Sequence, residues 1–112
     1  MKVVVERVIV GSPLALDSLK PSVLTVFTMI QSEVDRAKGK YPKWPTDPVH
    51  AAAIVAEEAG ELVKACLELS YNEKKTNIID VRDEAVQTAA MAIRFLQSLD
   101  HYEFKPSEQH EQ

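Results

Sequence analysis

The sequence predicts a mainly α fold, a helical bundle that assembles as an oligomer, with a short strand or extended arm at its N-terminus. Three observations predict it. Apolar residues recur every three or four positions in three long windows, which is the period of an amphipathic helix. The first two windows are separated by GKYPKWPTDPVH, whose prolines at 42, 45 and 48 exclude a regular helix. The third window is apolar nearly all round, and a helix of that kind lies at the centre of something larger than itself.

Taken in order, residues 2–10 (KVVVERVIV) are rich in valine and isoleucine and precede Gly11, as a strand does. One strand leaves its edges unpaired, so this arm needs a partner, and a second subunit can supply it. SPLALDSLK is ambiguous. Pro21 fits a first helical position, and Val23, Phe27, Ile30 and Val34 follow at helical spacing to about residue 38. After the proline-rich connection, Thr46 or Asp47 caps a second helix with Pro48 in its first turn. That helix runs to about Ser70, where YNEKKTN turns the chain. Asn77 caps a third, from Ile78 to about Leu99. The end, HYEFKPSEQHEQ, is polar and expected to fray.

At 112 residues the chain is long enough for one domain. Its core is expected over about 22–99, with an arm at 1–11 and a polar tail at 100–112. The net charge of −4 argues against a nucleic-acid backbone as partner, because such binding rests on a basic patch. A DNA-binding three-helix module fares no better, since DVRDEAV would repel phosphate. Cys66, the single cysteine, falls on a periodic apolar stretch and is expected to be a small buried hydrophobe. No apolar run is long enough to span a membrane, which makes a cytoplasmic protein the expectation.

The second helix poses the chemical question. Around its axis, with Glu58 at zero, Ala51 and Leu69 fall at about +20°, Ala65 at about −20° and Ile54 at about −40°. Glu58 is thus centred on the apolar stripe, with Glu61 at its edge and Glu57 on its flank. In the third helix Val81, Thr88, Met91 and Phe95 lie within about 60° of Glu84. Gln87 there matches Glu61 in placement, with Asp80 and Asp83 nearby. If the two helices pack together, their carboxylates converge.

Converging carboxylates repel, unless a cation neutralises them. Hard divalent ions such as magnesium or manganese suit an all-oxygen setting. A soft metal does not fit, because His50, His101 and His110 have no ligand-like spacing around the acids. The ordinary alternative is that the glutamates pair with Lys64, Arg82 or Arg94, or reach solvent at the bundle edge. For Asp80 and Asp83 a first-turn role at a helix N-terminus competes as well.

With these residues in place, the sequence resembles the MazG-like branch of the all-alpha nucleoside triphosphate pyrophosphohydrolases. The group includes the dimeric dUTPases and the phosphoribosyl-ATP pyrophosphohydrolases. The resemblance covers about Leu24 to Leu99. It rests on E-x-x-E in EEAGELVKA, giving Glu58 and Glu61, and on the E-x-x-D position in DEAVQTAAMAI, beginning at Glu84. The chain departs from the pattern at Gln87, where the family carries an aspartate. An amide oxygen can still ligate but brings no charge, and Asp80 or Asp83 is placed to compensate.

The resemblance implies a helical bundle assembled as a homodimer or homotetramer. Its magnesium, with manganese as the alternative, binds the phosphates of a nucleoside triphosphate or a related phosphoanhydride. Cleavage at the α–β linkage releases a nucleoside monophosphate and pyrophosphate. Glu58, Glu61 and Glu84 are then the expected ligands, and Glu57 a ligand or general base. Lys40 and Lys43 are candidates for phosphate contact, and Trp44 either stacks on a base or anchors its loop. A scaffold that binds nucleotides with weakened chemistry is the alternative that Gln87 suggests.

Overall fold

Three capped helices follow from three short polar signals. The computed structural model describes residues 20–72 and 76–105. The expected strand at 2–10, most of SPLALDSLK and the last seven residues of the tail lie outside them. Ser22 opens helix α1 (Val23–Lys40), its Oγ accepting from the Thr25 N–H at 3.1 Å. Pro21 therefore precedes the cap instead of starting the helix, because the hydroxyl one position later satisfies the free N–H groups of the first turn. The helix runs two residues beyond the expected end and takes in Gly39 and Lys40. It stops where the Tyr41 N–H donates to the Ala37 carbonyl and Pro42 follows.

Asp47 caps helix α2 (Pro48–Tyr71), accepting from the Val49 N–H at 2.9 Å, with Pro48 at the first position. Asn77 caps helix α3 (Ile78–Gln97), accepting from the Ile79 and Asp80 N–H groups at 2.8 and 3.1 Å. Asp80 returns the bond, taking the Asn77 N–H at 3.2 Å, so the two close a reciprocal capping box. A 3-10 turn, Leu99–His101, follows. No strand occurs among the described residues.

α3 is the spine. It packs along α2 and along α1, whereas α1 and α2 make no comparable contact with each other. The α2–α3 seam is built on small side chains: Ala51, Ala65 and Ala90 are buried beside Leu69. Those α2 positions are the stripe that the sequence centres on Glu58, and Glu58 itself is half-buried there. On α3 the most buried residues are Ala90 and Arg94. They lie to one side of the stripe drawn through Glu84, where the contacts with the two other helices meet. Arg94 was invisible to a hydrophobic count because its aliphatic stem does the packing.

Two expectations about burial are overturned. Cys66 is exposed. It borders an outer face of α2 on which Val63, Leu67 and Tyr71 are exposed too, so its periodicity belongs to a stripe that is exposed among the described residues. On α1, Val34 is 1% exposed, but Val23 and Phe27 are 68% and 62% exposed. The buried residues of α1, Val34 and Ala37, both lie in its C-terminal half, and Val26, Met29 and Ile30 before them are half-buried.

The tail is a third correction. Its first residues do not fray. Tyr102 is 9% exposed, packs its ring 4.9 Å from Phe95, and donates its hydroxyl to the Phe95 carbonyl at 3.0 Å. One residue on, the Glu103 N–H donates to the Thr46 carbonyl at 2.9 Å. An aromatic residue with a polar tip finds both an apolar wall and an acceptor here, which a count of polar letters overlooks.

Candidate active site

The packing of α2 on α3 brings the acidic residues to one seam, and α1 adds a wall. Two clefts open along it. The first, about 530 Å³, is lined by Glu57, Glu58 and Gln87, with Lys43, Trp44 and Arg94 facing them. The second, about 400 Å³, is lined by Glu61, Asp80, Asp83 and Glu84, and Gln87 borders it as well. Gln87 is thus the amide shared by both.

The glutamates perturb one another. Burial pushes the Glu58 carboxyl above its ordinary range, and the charges of Glu84, Glu57, Glu61 and Glu33 push it further. Burial likewise raises Glu84, reinforced by Glu61, Asp83 and Asp80. These mutual effects show that the carboxylates on the two helices sense each other across the seam.

The ordinary pairing alternative fails for these residues. Among the described residues Glu58, Glu61 and Glu84 form no ion pair. Arg82 is bound to Asp83 at 2.9 Å. Arg94 donates to the Tyr41 carbonyl at 2.8 Å and lies over the Trp44 ring, 4.8 Å from its centre. Both arginines are engaged elsewhere, and Lys64, which lines the second cleft with Glu61 and Glu84, forms no ion pair with either.

The remaining acids divide by environment. Asp80 completes the α3 cap and also accepts from the Thr76 hydroxyl at 2.9 Å, so its carboxylate has a structural task. Asp83 is paired with its neighbour Arg82 and half open to solvent. Glu57 is exposed at the mouth of the first cleft. Glu33 is the acid the sequence reading missed. It lines the first cleft from α1 and is bridged to Arg36 at 2.6 Å. The signal was its position directly before the buried Val34.

The three cleft-side candidates also separate. Lys43 lines the first cleft. Lys40 does not; it sits on the last turn of α1 with its ammonium 5.4 Å from the centre of the Tyr41 ring. Trp44 anchors its loop, since its indole N–H donates to the Tyr102 hydroxyl at 2.9 Å and Arg94 lies over its ring.

The carboxylates of the seam are hard oxygen donors of the kind a magnesium-type cation takes, and Arg36, Lys43, His50 and Arg94 line the first cleft beside them, as Lys64 does the second. Among the described residues no three acidic, histidine or cysteine side chains stand close enough to enclose one ion. The backbone lines the carboxylates along the seam, and their like charges favour separation. Compared with protein-family models, with curated proteins and with solved structures, the chain matches none.

Proposed function

We propose that the chain is a magnesium-dependent nucleoside triphosphate pyrophosphohydrolase of the MazG-like kind, releasing a nucleoside monophosphate and pyrophosphate. The observation that carries this reading is Glu58: a half-buried carboxylate, without a cationic partner, held against the charges of Glu84 and Glu33. Such a group costs stability unless a cation satisfies it.

In this reading Glu58, Glu61 and Glu84 would hold the cation, with Gln87 offering an amide oxygen; because no three such side chains stand around one point among the described residues, they would have to draw together on binding. When bound, magnesium or manganese supplies charge neutralisation to phosphate oxygens and acidifies water. The chain's own residues do the rest. Glu57, exposed at the cleft mouth, is the carboxylate available to take a proton from the attacking water. Lys43 approaches the phosphates from the loop between α1 and α2. Trp44 and Met91 give the first cleft an apolar portion against which a base is shielded from water. The exposed Val63, Leu67 and Tyr71 on α2 support a homodimer or homotetramer. A cytoplasmic location belongs to the same reading, and no helix among the described residues is long and apolar enough to cross a membrane.

A second reading keeps the scaffold but weakens the chemistry, and Gln87 favours it, because a neutral amide sits where both clefts meet. The test is pyrophosphate release from a panel of canonical and modified nucleoside triphosphates, with and without magnesium. Magnesium-dependent release supports hydrolysis. Silence across the panel, from a folded protein that binds magnesium and a non-hydrolysable nucleotide, supports the second reading.

A further inference from the structure

Arg94 is 5% exposed, and no carboxylate among the described residues bridges it. A guanidinium stays protonated in proteins, so the charge is there to be satisfied. Its neighbours do so only in part. One nitrogen, Nη2, donates to the Tyr41 carbonyl, and the Trp44 ring covers the group at 4.8 Å. Guanidinium has five N–H donors. No other hydrogen bond from Arg94 exists in the described structure. Yet none of its nitrogens is both sealed from solvent and without a partner. Nε and Nη1 therefore keep at least a trace of solvent contact, and Arg94 lines the first cleft.

The arginine is also held still. Tyr102 fixes the Trp44 N–H, and the Phe95 carbonyl fixes the Tyr102 hydroxyl. A positioned fork of donors differs from a flexible surface lysine in this respect: little freedom is lost when an anion binds. Arg36, the other arginine at the cleft, is bridged to Glu33. Lys43 is exposed at the rim. Arg94 is the buried, preorganised cation of the three.

Across the cleft stand Glu57 and Glu58. Among the described residues neither these two carboxylates nor Arg94 takes part in an ion pair, although all three line this cleft. A divalent cation carrying a polyphosphate group would supply a partner to each at once. We infer that Arg94 is a direct ligand contact, offering the N–H groups that Tyr41 leaves unused to a polyphosphate group bound in the cleft that Trp44, Glu57 and Glu58 line with it. The inference rests on the pyrophosphohydrolase reading for the identity of the anion.

The test uses magnesium and inorganic pyrophosphate, which need neither a particular base nor turnover. Calorimetry measures affinity, and Trp44, the single tryptophan, reports by its emission whether the anion sits in this cleft. Wild type is expected to bind pyrophosphate with a change in Trp44 emission. Arg94→Gln should weaken binding at least about tenfold, with circular dichroism showing the fold retained. Arg94→Lys keeps the charge, guards against a glutamine variant that unfolds, and should bind several-fold more weakly than wild type.

Wild-type affinity in whichever of these variants folds would reduce Arg94 to a structural role and overturn the inference. So would an absence of binding to wild type, or binding that leaves Trp44 emission unmoved. Nucleotide turnover without Arg94-dependent pyrophosphate binding removes this contact and leaves the reaction standing. Arg94-dependent binding without turnover of any nucleotide does the reverse.

Discussion

The indole N–H of Trp44 donates to the hydroxyl of Tyr102 at 2.9 Å, across 58 positions of sequence. That hydroxyl passes the chain of bonds to the Phe95 carbonyl on α3. The loop between α1 and α2 is thereby tied to the residues that follow α3. Trp44, which lines the first cleft, is consequently held in place by residues that do not line it.

Removing the hydroxyl breaks both bonds while keeping the ring. Tyr102→Phe is expected to cost about 1–3 kcal/mol, because the indole donor and the Phe95 carbonyl lose a shared partner. Urea denaturation followed by Trp44 emission measures it. Unchanged stability would show that water replaces the hydroxyl without loss.

Glu58→Gln removes a charge that the fold holds without compensation. Turnover of the accepted nucleotide should fall by at least about 100-fold, beyond the loss typical of changes in groups that merely support a metal ligand. In the same variant the metal-free protein should melt a few degrees higher. Retained turnover would remove Glu58 from the chemistry.

The pH dependence has a definite sign. Glu58 and Glu84 have folded pKa values above the ordinary 4.5, because burial and neighbouring carboxylates disfavour their charged forms. Between 4.5 and those raised values the native chain binds more protons than the unfolded one, so their contribution to stability falls as pH rises through that window. Above it the penalty is fully present, and below it the penalty is gone. Denaturation of wild type and of the Glu58→Gln, Glu84→Gln pair should therefore diverge in the double variant's favour with rising pH. Saturating magnesium should narrow the gap at neutral pH.

Gln87→Glu places a carboxylate where both clefts meet. Magnesium affinity should rise by about tenfold as ligand charge increases, and the metal-free variant should be less stable than wild type. Calorimetry and melting curves read the two effects separately. No gain in affinity would place Gln87 outside the ion's reach.

Gly60 interrupts the acidic run EEAGE in the middle of α2, and a Cβ built there meets nothing within 4 Å. Gly60→Ala should stabilise the helix by about 1 kcal/mol, since glycine costs that much in a helix interior. A loss of stability or a change in oligomeric state would reveal a close approach by another chain at this position.

Helix existence was legible because it depends on local signals. Asp47 and Asn77 each have a side-chain acceptor one position ahead of an apolar run, and Pro48 and Ile78 begin helices accordingly. The placement of Glu58 on the buried stripe was legible for the same reason, as angle around a helix follows from spacing alone. What stayed hidden depends on distant contacts. Tyr102 reads as a tail residue until Phe95 and Trp44 are beside it. Glu33 reads as a solvated acid until α1 lies on α3. Cys66 reads as core because periodicity reports that a face is apolar without saying what covers it.

The alanines between α2 and α3 have a consequence for how this chain can change over time. Ala51 and Ala90 are fully buried, so each leaves room only for a methyl group where its helix is covered, and α2 and α3 pack closely. The reach of Glu58 and Glu84 toward one another depends on that close packing. A larger residue at either spacer would widen the gap and strand the carboxylates, whereas a shorter acid would demand a tighter gap that no residue except glycine allows. Spacer and acid are therefore expected to drift as linked characters, with substitutions at 51 or 90 accepted only alongside a change in acid length at 58 or 84.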